Sequence, residues 1–248
     1  DLEEMKGPRL AHLKNTLAMI LHPKEFAVRL NDEITAAKQQ AAVNGNKLGV
    51  RLNVLSDIHP RAYEALINAH PDVDFYDYTK LDSNPVAPNH HLTYSSTGVA
   101  QPAGVNGNMT DVDNEHQNWR RMRRRLDTGS NVAMAFSHGS VLPEFVHDLE
   151  SGKRYRVVNG DDHDFRPMDR QPEGSDGVIV GLKNKKAFGK EQEAHIDSNG
   201  FFTYYDPKIV KDAMGNNMVT NNTVQVAPQP GARRMMTNDS VPEERQNG

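Results

Sequence analysis

An α/β fold, a partial or curved parallel (β/α) barrel followed by a polar tail, is what the 248-residue sequence predicts, on three observations. Segments with apolar residues at helical spacing alternate with segments of period two, the pattern of βαβ units and a mostly parallel sheet. The strand segments carry apolar residues on one side and polar residues on the other, which suits a sheet packed by helices outside and wet within. Beyond residue 204 the periodicity fades. The organisation read from this is one barrel-like domain over residues 1–204 and a polar tail, flexible or lying on a partner, over 205–248.

The elements follow in order. "PRLAHLKNTLAMIL" (8–21) places Leu10, Leu13, Leu17, Ile20 and Leu21 at helical spacing. Pro23 suits the first position of a second helix, with Phe26, Leu30, Ile34 and Ala37 on one face and "NGN" (44–46) at its end. "KLGVRLNVLSD" alternates as a strand over about 48–55, and Pro60 opens the next helix. Strands are expected near 73–78, 90–95, 131–136, 155–160 and 177–182. Between the third and fourth lies "DNEHQNWRRMRRRLDTG", a helix with Gly129 as its C-cap.

Val50, Leu52, Val54, Phe75, Leu92, Tyr94, Val132, Met134 and Phe136 make the apolar side of the expected sheet. Arg51, Asn53, Tyr76, Tyr78, Thr93, Ser95, Ala135, Ser137 and Lys183 are assigned to the other side. In parallel sheets and barrels, ligands sit at the carboxyl ends of the strands. Here those ends are Ser56–Asp57, Asp77–Lys80, Ser95–Ser96, Ser137–His138, Asp161–Asp164 and Lys183.

Four clusters there carry possible chemistry, and each has a plainer structural reading. In "GDDHD", Asp161 and His163 are candidate catalytic groups, and Asp162 and Asp164 candidate ligands of a divalent cation. The plainer reading is a turn whose carboxylates pair with Arg166 or Arg170. Arg51 and Asn53 could fix a small anionic ligand, or Arg51 could pair with Asp77 or Asp161 across strands. Asp77 is the third catalytic candidate, and Tyr76, Tyr78, Lys80, Ser95 and Lys183 complete the substrate-binding set. The tyrosines could equally fill the interior with their hydroxyls at its rim. Finally, "WRRMRRR" (119–125) offers Arg120, Arg121 and Arg124 to nucleic acid, or simply places positive charge at a helix C-terminus.

Composition excludes some classes. The chain has no cysteine, hence no thiolate site of its own, and its net charge of −4 favours no polyanion in bulk. No run of about 20 apolar residues occurs, so no membrane partner is expected. H-E-x-x-H, G-x-S-x-G and Walker signatures are absent from the sequence.

Six motifs in order, "VRLNVLSDI", "DVDFYDYTK", "NHHLTYSS", "GSNVAMAF", "VVNGDDHDFR" and "GVIVGLKNK", resemble the gene 88 protein family of phages and plasmids over roughly residues 8–197. The resemblance implies a phage-type protein of unsettled activity, in the host cytoplasm or the virion, with other phage subunits as possible partners. It also implies a layout like that of a radical S-adenosylmethionine barrel. An iron–sulfur cluster and S-adenosylmethionine would enter only if a cysteine-bearing segment precedes Asp1, and such a segment, with one further strand, is expected. Two functional expectations stand side by side. One is an enzyme or enzyme remnant acting on an anionic, nucleotide-like small molecule. The other is a non-catalytic virion component or binder of nucleic acid or host protein.

Overall fold

The computed structural model describes residues 6–54, 56–96, 111–136, 141–184, 203, 209–211, 217–219 and 223–226. Helices α1 (Lys6–Leu21) and α2 (Pro23–Val43) are joined through the single residue His22. The His22 N–H donates to the Ala18 carbonyl and the Phe26 N–H to the His22 carbonyl, so His22, at φ −135° and ψ 59°, closes α1 and opens α2. Strand β1 (Gly49–Val50) and a 3₁₀ turn from Pro60 to Tyr63 follow, then α3 (Glu64–Ala69), β2 (Asp74–Thr79) and β3 (His90–Ser95). After α4 (Asp111–Asp127) come β4 (Val132–Phe136), β5 (Phe145–Asp148), β6 (Arg154–Asn159) and β7 (Ile179–Lys183). Three short strands, β8 (Ile209–Lys211), β9 (Asn217–Val219) and β10 (Thr223–Val226), fall in the segment read as a polar tail.

The main sheet runs β1-β2-β3-β4-β7-β6-β5-β10, and β8 pairs with β9 in a separate antiparallel pair. In the main sheet β1 with β2, β3 with β4, β4 with β7, β6 with β7 and β5 with β10 pair parallel, and β5 with β6 antiparallel. The mostly parallel α/β expectation therefore holds. The sheet does not close into a barrel, and β1 and β10 lie at its ends.

Two units divide the chain, and β2 and β3 each run from one into the other. In the first (Asp1–Leu52, Ile58–Tyr76, Asn84–His91), Ile34 of α2 and Ile67 of α3 pack with Val73 and Phe75. Asn89 closes this core by donating its side-chain amide to the His70 and Val73 carbonyls, at 2.9 and 2.8 Å, just beyond α3.

In the second unit, Trp119, Met122 and Leu126 lie at helical spacing on α4 and pack on Val132, Met134, Phe136 and Ile179. The turn from α4 into β4 is held from both sides. Gly129 takes φ 81°, and a side chain on Gly177 would strike the Ser130 carbonyl, so both positions require glycine. Asn131 accepts the Val178 N–H at 3.0 Å and donates to the Asp169 carbonyl at 3.2 Å.

Candidate functional site

The carboxyl ends of β1 and β2 bring several of the expected residues together, but in one another's service. Asp57 accepts the Thr79 hydroxyl and the Lys80 N–H, both at 2.7 Å. Asp77, 2% exposed, accepts the Asn53 N–H at 2.7 Å, and Asn53 accepts the Ser56 hydroxyl at 2.9 Å. The loop after β1 is thus fastened to β2 by carboxylate-to-backbone bonds, which are strong because one partner is charged. Lys80 itself is exposed.

The "GDDHD" segment forms a turn followed by a buried ionic cluster. Asn159 accepts the Asp161 N–H at 3.2 Å and donates its side-chain amide to Asp162. Asp161, Asp162 and Asp164 are exposed. Gly160 is required here because a Cβ would lie 2.8 Å from the side chains of Leu182 and Val180. His163 Nδ1 faces Arg166 Nη2 at 3.1 Å, and its Nε2 faces Asp169 Oδ1 at 3.4 Å. With the guanidinium donating to Nδ1, the ring proton belongs on Nε2, toward Asp169. Arg166, 1% exposed, also donates to the His163 carbonyl and stands 3.1 Å from Asp169 Oδ2, an ion-pair distance without hydrogen-bond alignment. Burial pushes the Asp169 carboxyl up, against the opposing pull of Arg166 and His163. Both ring nitrogens of His163 are thus engaged, and the carboxylate that stands beside Arg166 is Asp169. Among the described residues, no group of three His, Asp or Glu side chains could hold a metal ion, and Asp162 and Asp164 do not form one.

Helix α4 sorts its arginines by face. Arg125 is buried, bonds Asp82 at 2.9 Å and lies 5.3 Å over the Tyr94 ring. Arg123 bonds Asp148 at 3.1 Å and Glu150 at 2.7 Å. Arg120, Arg121 and Arg124 point outward and are exposed, and none of them pairs with a carboxylate among the described residues. The side chains of Asp111, Asp113 and Glu115 lie outside the described residues.

Other expected members of a shared site are kept apart by sheet parity. Neighbouring residues on a strand point to opposite faces. Along β2, Phe75, Asp77 and Thr79 are buried while Tyr76 and Tyr78 are half-buried, so Asp77 faces away from the two tyrosines. Ser95 is in register with Ala133, and Lys183 with Phe136, three residues further along β4, so Ser95 and Lys183 lie on opposite faces. Asp161 follows β6, which β3, β4 and β7 separate from β2, a lateral distance of roughly 19 Å at strand spacing. Arg51 is half-buried just past β1. Ser137 and His138 lie outside the described residues.

The family Gene product 88 matches residues 3–202. The chain belongs to the gene product 88 family. No curated protein and no solved structure gives a significant match. Membership supports the resemblance drawn from the six motifs. It lends nothing to the layout of a radical S-adenosylmethionine barrel: the sheet of this gene product 88 member is open, and none of its 248 residues is a cysteine that could hold a cluster. No helix among the described residues is long and apolar enough to cross a membrane.

One centre in this gene product 88 protein has no counterpart in the sequence reading. Asp148, fully buried at the end of β5, accepts Trp119 Nε1–H at 3.0 Å, the Arg123 guanidinium, the Ser151 hydroxyl and two backbone N–H groups. Burial alone would push its carboxyl up; the bonds from Ser151, Trp119 and Arg123 together hold it below the usual carboxylate range. The available signal was "FVHDLESG", alternating residues that end in an acid and a turn.

Proposed function

We propose that this gene product 88 protein is a non-catalytic, phage-type component that binds nucleic acid through the outer face of α4 and uses the sheet as a scaffold. The observation that carries the reading is the sorting of the arginines. The sheet side of α4 consumes Arg123 and Arg125 in carboxylate pairs, while Arg120, Arg121 and Arg124 stay exposed together. Guanidinium groups pair with phosphates in a two-pronged geometry, and a helix that offers three of them tracks a backbone without reading bases. The host cytoplasm or the virion is the setting this reading implies, with other phage subunits as further partners.

The test is binding of a labelled 20-nucleotide single strand and its duplex, followed by anisotropy across a salt series. Replacing Arg120, Arg121 and Arg124 together by glutamine should weaken binding and reduce the slope of log K against log salt by about 2–3. Absence of binding by the unaltered chain at about 50 mM salt, where phosphate contacts are strongest, overturns the reading. So does a triple variant with the same slope.

The other reading is an enzyme or enzyme remnant acting on a nucleotide-like anion at the strand ends. Exposed Lys80 favours it. Against it, Asp77 and His163, the groups that would move protons, are already bonded to Asn53 and to Arg166 and Asp169.

A further inference from the structure

Strand β6 has two unlike faces. Tyr155 is buried and meets Trp119 of α4 edge-on, with 6.2 Å between ring centroids. Its neighbours Arg154 and Arg156 are exposed on the opposite face. In the antiparallel pairing Arg156 stands opposite Phe145 and Arg154 opposite His147, both half-buried, so these four side chains share that face. The Arg154 side chain reaches across β5. Its guanidinium lies 4.4 Å over the Phe145 ring, and Nη2 donates to the Thr223 hydroxyl of β10 at 3.1 Å. The group is thus held at two points while the residue stays exposed.

The charges around this face leave both arginines without an acid. Neither Arg154 nor Arg156 pairs with a carboxylate among the described residues. Lys153 is taken by Asp127 and Asp176, at 2.7 and 3.1 Å. Asp148 is bonded to Trp119 on the α4 side, and Glu150 to Arg123. The Glu144 carbonyl accepts the Val157 N–H and so continues the β5 ladder. Glu144 therefore has the parity of Val146 and Asp148, and its side chain belongs to the α4 side. Asp161 and Asp162 lie beyond the far end of β6.

We infer that this face binds single-stranded nucleic acid, with a base stacked on the Arg154 guanidinium and a phosphate paired with Arg156. The chemistry selects the occupant. Single strands are held without sequence preference by bases stacked on aromatic and guanidinium planes beside positive charge. A duplex keeps its bases stacked inside and cannot use such a plane. An acidic peptide would take the charges and leave the plane unused. The sheet face adds a base-dependent site on the side of the sheet away from α4, and it does not rest on the α4 arginines.

The experiment uses the 248-residue chain with Arg120, Arg121 and Arg124 replaced by glutamine, which removes the α4 contribution, with circular dichroism as the control for folding. Anisotropy compares a labelled oligothymidylate of about 12 nucleotides with an abasic strand of the same length and charge. The thymidylate should bind roughly tenfold more tightly, the scale of one base stack. Arg154→Lys keeps the charge and loses the plane, and should abolish that preference. Arg156→Gln should weaken both strands alike and lower the slope of log K against log salt by about 0.7. Equal affinity for the two strands overturns the proposal, as does a preference that Arg154→Lys leaves intact. Failure of the triple variant to bind the thymidylate overturns it too. So does polyglutamate that competes as well as unlabelled thymidylate, which points to an acidic protein partner instead. The α4 reading is judged by the salt slope of the triple variant against the unaltered chain, so the two fail separately.

Discussion

Replacing Asp148 by alanine would leave the Trp119 N–H without its acceptor and the Arg123 guanidinium with Glu150 alone. Removing one partner of a buried charged pair costs about 3–5 kcal/mol. Asp148→Ala should therefore lower the urea midpoint sharply, and Asp148→Asn, which keeps acceptor and shape, should lower it less. Trp119 is the only tryptophan in the chain, so its fluorescence reports this site directly. His90 makes a second, pH-dependent prediction. Burial, with the neighbouring charge of His91, pushes its imidazole down to about 4 from 6.5. Between those values the unfolded chain binds a proton that the folded chain does not. The stability that His90 contributes is complete above about pH 6.5 and is lost as pH falls toward 4. His90→Gln, which can still accept the Val86 N–H, should flatten the fall in melting temperature over that window. At this scale the sequence was a poor guide. Asp77 and His163 are residue types that do chemistry, and only the positions of Asn53, Arg166 and Asp169 show that they are engaged.

Among the elements, α4 was the most legible and β1 the least. Trp119, Met122 and Leu126 recur at the helical period, and Gly129 stops the helix where its residue type predicts. The same helix yields a clean contrast. Arg124→Gln should leave thermal stability within about 0.5 kcal/mol, as exposed substitutions usually do. Arg123→Gln should lower it measurably, because Asp148 then loses a charged donor. Strand β1 was read over 48–55 but ends at Val50. Three residues on, the Asn53 N–H turns to the Asp77 side chain rather than to a strand neighbour, an alternative partner that a period-two pattern cannot reveal. Strand β5 was missed because "FVHD" ends in an acid, and nothing local announces that Trp119 will meet it.

Across the molecule, alternation of helix and strand periods was enough to anticipate a mostly parallel sheet, and not enough to arrange it. Which residues share a face depends on register between strands, and register is a property of pairs. Ser95 and Lys183 each looked polar-side within their own strand, yet the pairings through β4 place them on opposite faces. Closure was equally out of reach, since an open sheet and a barrel use the same alternation. The observed order predicts a gradient of amide exchange. The interior strands β4 and β7, buried along most of their length, should exchange most slowly, and β1, two residues long, among the fastest. Uniform protection by mass spectrometry would contradict the order.

The parallel pairing of β10 with β5 joins Thr223 to Phe145 and Val226 to Asp148. A chain leaving the ribosome has made β5 and β6 long before the residues that cover the other side of β5 exist. During that interval β5 is a bare edge beside the Asp148 centre, and bare edges recruit other chains. Strand β10, synthesised well after β5, thus guards the nascent protein against its neighbours. A chain ended at residue 222 should aggregate faster on refolding than the full one, by light scattering at equal concentration. Supplying residues 223–226 within a longer peptide should slow that aggregation if edge pairing is its cause.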